Sequence, residues 1–86
     1  NDEFKKFNVK ENMFINYDIL NSLLSCNKNK SNAITTELLI CKNYDDFVVY
    51  ADQDKVNQII LNFISNSIKF TKTGQINLMV NIVKLL

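Results

Sequence analysis

The sequence lacks several residue types on which common enzyme mechanisms depend. It has no histidine, arginine, proline or tryptophan, and all ten of its basic residues are lysine. Within this chain, a serine or cysteine nucleophile therefore has no histidine partner, and phosphate has no bidentate guanidinium clamp. A zinc site is disfavoured for the same reason. The single glycine, Gly74, cannot build a glycine-rich phosphate loop, which excludes P-loop and dinucleotide-binding fingerprints.

Length and charge narrow the class of protein further. The chain has 86 residues, of which 47% are hydrophobic, and this composition is typical of one small globular domain or part of one. A formal net charge of +1 argues against nucleic acid as a partner. No apolar run approaches the roughly 20 residues that span a bilayer. Two cysteines, Cys26 and Cys41, are too few for a disulfide scaffold, so we expect reduced thiols.

The hydrophobic pattern predicts a strand, a helix, two strands, a second helix and a last strand. These elements fall at 4–9, 10–26, 33–41, 47–50, 53–71 and 75–83, with a polar loop at 27–32 and a turn at 43–46. The order indicates an α+β fold in which two helices cover one face of a partial mixed sheet, giving an incomplete two-layer α/β sandwich. Asp52 is a suitable N-cap for the second helix, and Gly74 fits a turn with positive φ.

Apolar residues at three- and four-residue spacing predict which helix faces are buried. For the first helix the predicted stripe is Met13, Phe14, Tyr17, Leu20 and Leu24, widened by Ile19 and Leu23. For the second helix it is Val56, Ile59, Ile60, Phe63, Ile64 and Ser67, widened by Leu61 and Ile68. We expect the last strand to lack neighbours that would cover its free edge.

A polar stripe on the second helix contains the candidate binding residues of this sequence. Its members are spaced four, four and three residues apart and therefore share one face: Gln58, Asn62, Asn66 and Lys69. An amide oxygen is a hard neutral ligand for Mg²⁺, and an ammonium can contact a phosphate oxygen. The sequence also contains 14 asparagines, so base composition alone is an alternative explanation of the stripe. Asn57 lies two and a half turns before Asn66 on the opposite side of the helix, so we expect Asn57→Ala to have little effect on the chemistry of this stripe.

Residues 52–76 resemble the N box of sensor histidine kinases, whose pattern is D…Q.L.NL..NA.KFT..G.I. The sequence matches at ten positions: Asp52, Gln58, Leu61, Asn62, Asn66, Lys69, Phe70, Thr71, Gly74 and Ile76. It departs from the pattern with Phe63 in place of leucine and Ser67 in place of alanine. The likeness extends more weakly over residues 1–83, so residues 1–86 are interpreted as part of a Bergerat-type ATP-binding domain.

The resemblance implies a site for ATP and Mg²⁺. In the family, the residue matching Asn66 coordinates Mg²⁺, and the one matching Asn62 lines the phosphate site. Lys69 would contact phosphate, and Phe70 would pack beside the adenine or ribose, although core packing is an equally weighted alternative for Phe70. ATPase relatives have glutamate in place of Asn62. Because a neutral amide cannot accept a proton, Asn62 favours phosphotransfer over hydrolysis, and Asn62 and Lys69 are the predicted catalytic residues.

Other parts of the family pattern are not in this sequence. The glycine boxes, the ATP lid and the dimerisation domain with its phosphoacceptor histidine are absent, so we expect the 86 residues by themselves to be inactive. The resemblance implies a protein-histidine kinase for two-component phosphorelay signalling, with a response-regulator receiver domain as partner. The intact protein would be a homodimer with this domain in the cytoplasm, and a membrane-tethered hybrid receptor is compatible with it. Three alternatives stay open: a degenerate pseudokinase that binds ATP without transfer, a water-activating ATPase or protein-serine kinase, and a structural domain with no site.

Overall fold

The computed structural model describes residues 4–40 and 47–81. Along the chain these residues form four strands and three helices: β1 (Phe4–Asn8), α1 (Val9–Cys26), α2 (Lys28–Ser31), β2 (Ile34–Ile40), β3 (Val48–Asp52), α3 (Gln53–Phe70) and β4 (Gly74–Val80). The predicted α+β class is confirmed. The short helix α2 occupies the predicted polar loop, while the predicted turn at 43–46 and the predicted end of the last strand lie outside the described residues.

The described strands pair two by two. β1 and β3 are antiparallel, with Phe4 opposite Asp52, and β2 and β4 are parallel, with Ile34 opposite Gly74. A parallel pair needs a long crossover connection, and here β3 and α3 lie between its two strands. Antiparallel and parallel pairing therefore both occur, in two separate two-stranded sheets.

One aliphatic core joins α1 and α3 to the parallel pair. Its buried members come from all four elements: Leu20, Leu24, Ile34, Ile64, Ile68 and Ile76, with Tyr17 and Ile60 packed against them. The two long helices thus form one layer and β2 and β4 the other, as expected for an incomplete α/β sandwich. Among the described helices, none is long and apolar enough to cross a membrane.

Local signals fix where α3 begins and where β4 starts. The Asp52 carboxylate is buried and accepts a hydrogen bond from the Lys55 backbone N–H at 3.2 Å, which confirms the predicted N-cap. Gly74 has φ of 111°, which confirms the predicted turn, and its N–H donates to the Ala33 carbonyl oxygen at 3.0 Å. Apart from Gly74 itself and its two chain neighbours, no atom of the described residues lies within 4 Å of an ideal Cβ at this position, so the backbone angle rather than space favours glycine.

The predicted buried stripes are wrong at four positions. Phe14 and Leu23 on α1 are 47% and 40% exposed, and Ile59 and Phe63 on α3 are 57% and 68% exposed. Each helix carries apolar residues over a wider arc than the core can cover. Spacing alone cannot say which part of that arc faces inward, and on α3 the inward part is centred on Ile64.

Candidate functional site

The polar stripe predicted on α3 lies at the surface. Gln58, Asn62, Asn66 and Lys69 are all exposed, while Ile64 and Ile68 on the other side of the helix are buried. Because neighbours three or four residues apart on a helix have Cβ atoms about 5–6 Å apart, the stripe is a continuous row of three amides and one ammonium. The amide oxygens and the ammonium are therefore accessible to an anion or a hydrated cation.

Three large apolar side chains lie beside this row on the same exposed side of α3. Ile59, Phe63 and Phe70 are 57%, 68% and 74% exposed. Their spacing of four and seven residues places them along one line of the helix surface. The exposed face of α3 therefore combines an apolar strip with an amide–ammonium strip, and such a pairing suits a ligand that is aromatic at one end and charged at the other.

Phe70 lies at the surface of the described residues and not in their core. A core role is wrong within the part of the chain described, because the ring is 74% exposed. The Lys69 Nζ lies 5.3 Å from the centroid of the Phe70 ring, within the range of a cation–π contact. Lys69 has no carboxylate partner in residues 4–40 and 47–81. Its ammonium and the Phe70 ring are thus presented together at the end of the helix.

The described residues offer Mg²⁺ single amide oxygens and not a cluster of carboxylates. No group of three or more cysteine, aspartate or glutamate side chains is placed to hold a metal ion within the described ranges. Mg²⁺ does not require such a cage, because it keeps several waters and shares phosphate oxygens with one or two protein ligands. An exposed amide oxygen such as that of Asn66 can serve as one ligand of a metal that is already bound to a polyphosphate.

A second group of amides is buried between α1 and α3, and sequence reasoning missed it. Asn12 and Asn16 are 2% and 0% exposed. The Asn16 Nδ2 donates to the Asn12 carbonyl oxygen at 2.8 Å and to the Asn57 Oδ1 at 3.0 Å, and the Gln53 Nε2 donates to the Asn12 Oδ1 at 2.9 Å. Asn12 and Asn16 are four residues apart on the side of α1 that faces the core, and this spacing could have indicated their burial. Asparagine is seldom fully buried, however, so the pattern did not suggest it.

This buried group gives Asn57 a structural role that the sequence pattern did not indicate. Its Oδ1 accepts a hydrogen bond from the side-chain amide of Asn16, which is fully buried, so Asn57 contributes to the packing of α1 against α3. The Asn12 Nδ2 and Asn16 Oδ1 are already without hydrogen-bond partners among the described residues. Removing the Asn57 side chain would leave one N–H of the Asn16 amide without its acceptor, while the other still donates to the Asn12 carbonyl oxygen, and the loss lowers stability.

We expect Asn57→Ala to lower the free energy of unfolding by about 1–3 kcal/mol, because it leaves a buried amide donor with one acceptor fewer. The change is measured by unfolding the full-length gene product in urea, with protease cleavage within residues 4–81 as the signal that this region has unfolded. Asn62→Ala is the matched control, since it removes an exposed asparagine from the same helix and should stay within about 0.5 kcal/mol of the parent. Equal unfolding midpoints for the two variants would contradict the structural role of Asn57.

Comparison with known proteins identifies relatives among signalling kinases. The chain is 36% identical over 77 residues to "Autoinducer 2 sensor kinase/phosphatase LuxQ" of Vibrio vulnificus strain YJ016, a match that covers 83% of this chain and 8% of the relative. The protein of the same name from Vibrio harveyi is 34% identical over 74 residues, covering 85% and 9%. "Hybrid signal transduction histidine kinase B" of Dictyostelium discoideum is 62% identical over 29 residues, covering 34% and 2%.

These matches are confined to a small part of each relative. The chain spans less than a tenth of the length of the curated relatives it matches. No protein-family model matches the chain, and no solved structure matches it. The chain is similar to short segments of sensor kinases and of a hybrid histidine kinase, which supports its interpretation as a segment of such a signalling protein.

Proposed function

We propose that residues 1–86 are part of the ATP-binding domain of a sensor histidine kinase, with the N box at 52–76. The exposed face of α3 is the single observation that carries this proposal. It places three amides and an ammonium beside an exposed aromatic ring, on a helix whose opposite face is held in the core. The similarity to sensor and hybrid kinases supports the broader part of this proposal, that the chain is a segment of such a kinase.

Four residues of the exposed face have a proposed role in binding Mg-ATP. Asn66 offers its amide oxygen to Mg²⁺, and Asn62 and Lys69 donate to phosphate oxygens. Phe70 packs against the adenine or ribose, and its exposed ring is accessible for that contact. When bound, Mg²⁺ supplies neutralisation of the charge that develops on the transferring phosphate. Lys69 adds one positive charge at the same end of the helix.

The chemistry of Asn62 favours transfer of phosphate to a protein side chain over hydrolysis. Activating a water molecule needs a proton acceptor, and the Asn62 amide is not one at neutral pH. This chain also contains no histidine, so the proposed acceptor is a histidine on a dimerisation domain elsewhere in the protein. A receiver domain of a response regulator is the proposed next partner, and the proposed location of this domain is the cytoplasm.

Incubation of the full-length gene product with ATP labelled at the γ-phosphate tests the proposal. We expect label attached to the protein through a bond that is stable in base and lost in acid, as phosphohistidine is. Release of free phosphate without labelled protein would favour an ATPase. Binding of Mg-ATP with neither label nor hydrolysis would favour a pseudokinase, and absence of ATP binding would overturn the assignment.

A further inference from the structure

Lys30 on the short helix α2 reaches across to the end of α3. Its Nζ donates to the carbonyl oxygen of Ile68 and to that of Lys69, the second at 3.0 Å. The two residues are separated from Lys30 by 38 and 39 positions in the sequence. Nothing in the hydrophobic pattern or the N-box motif includes Lys30, and the segment around it was predicted to be a loop.

The carbonyls that Lys30 meets are those that a helix leaves without partners. The last four C=O groups of an α-helix have no intrahelical donor, and together they carry a partial negative charge of about half an electron. A cation at this end therefore stabilises the helix terminus. In this protein the same terminus presents Lys69 and Phe70, where the phosphates and base of a nucleotide are proposed to bind.

The segment that contains Lys30 also makes hydrogen bonds to Gly74, the first residue of β4, at the other end of the connection between α3 and β4. The Ala33 carbonyl oxygen accepts from the Gly74 N–H at 3.0 Å, and the Thr35 Oγ1 donates to the Gly74 carbonyl oxygen at 3.4 Å. Residues 30–35 thus bind both the last turn of α3 and the first residue of β4. The connection at 71–73 is fixed at its two ends by one segment.

We propose that Lys30 is a positioning residue for the nucleotide site at the end of α3. Its two hydrogen bonds hold the last turn, and its positive charge offsets the negative end of the helix that would otherwise weaken the binding of phosphate beside Lys69. This inference rests on the proposed function, because it assigns to Lys30 an effect on the same site. Lys30 does not touch the nucleotide in this scheme and acts through the helix end.

Steady-state kinetics of autophosphorylation by the full-length gene product test this role. We expect Lys30→Met to raise the KM for Mg-ATP by about two- to five-fold, the size of a charge effect at a helix terminus, with kcat little changed. The increase should shrink at high ionic strength, since salt screens charge but does not restore a lost packing contact. Lys30→Arg keeps the charge and the donors and should restore the parent KM.

Lys28→Met is the matched control, because Lys28 is an exposed lysine on the same short helix. A thermal unfolding midpoint for each variant shows whether it is folded, and Lys30→Gln replaces Lys30→Met in the comparison if the latter does not fold. If the parent binds Mg-ATP but the Lys28 and Lys30 variants have equal KM values, the role of Lys30 is overturned while the proposed function stands. If the parent does not bind Mg-ATP at all, both are overturned.

Discussion

Asn66→Ala in the full-length gene product is expected to slow autophosphorylation by about 100-fold or more, the typical cost of removing one group that stabilises charge in a transition state. Asn66 is exposed on α3, in the row of amides that ends at Lys69. Alanine offers no oxygen to Mg²⁺, so the metal that neutralises the transferring phosphate loses a protein ligand. A radiolabelled-ATP assay measures the rate.

The control for this variant must be an asparagine that is exposed and lies away from α3. Asn77 meets both conditions, since it is an exposed residue of β4, and Asn77→Ala should keep the parent rate. Asn66→Asp should lose less activity than Asn66→Ala, because a carboxylate still ligates Mg²⁺. If Asn66→Ala and Asn77→Ala are both as active as the parent, the row of amides is a solvated surface enriched by base composition.

The largest expected loss of stability comes from Leu20→Ala. Leu20 is 0% exposed in the core shared by α1, α3 and the parallel strands. Truncating such a leucine typically costs about 2–5 kcal/mol, which is a large share of the roughly 5–15 kcal/mol that stabilises a domain. Unfolding in urea measures the loss, with protease cleavage within residues 4–81 as the signal that this region has unfolded.

Leu23, three residues further along the same helix, provides the comparison for Leu20. It is 40% exposed and belongs to the stripe that was predicted to be buried. Leu23→Ala should cost about 1 kcal/mol or less, because much of its side chain is already in water. Equal losses for the two variants would show that the core does not lie where the structure places it.

Signals that act over a few residues were sufficient to predict most of the elements. Asp52 marks the start of α3 because its side chain accepts a hydrogen bond from a backbone N–H of the first turn. Gly74 marks the turn before β4 because it adopts a positive φ. The parallel pairing of β2 with β4 is different. It joins residues about 40 positions apart and depends on how α3 packs. The periodicity of hydrophobic residues along the sequence does not contain that information.

The same distinction separates the predicted site from the residues that support it. Asn62, Asn66 and Lys69 share a face because of their spacing alone, and the structure places that face at the surface. Whether Phe63 lies in the core or beside that row depends on how much of α3 the other elements cover. Burial of Asn16 and the reach of Lys30 depend on contacts with α3 from distant positions, and no local pattern predicts them.

The proposal that the exposed face of α3 holds Mg²⁺ bound to ATP is tested most directly by titration calorimetry with and without the metal. The full-length gene product should bind ATP more tightly with Mg²⁺ than with EDTA. Asn66→Ala should lose most of that gain, and Asn77→Ala should keep it. The same gain from Mg²⁺ in all three proteins, or no binding of ATP to the parent, would contradict the assignment of this face as the site.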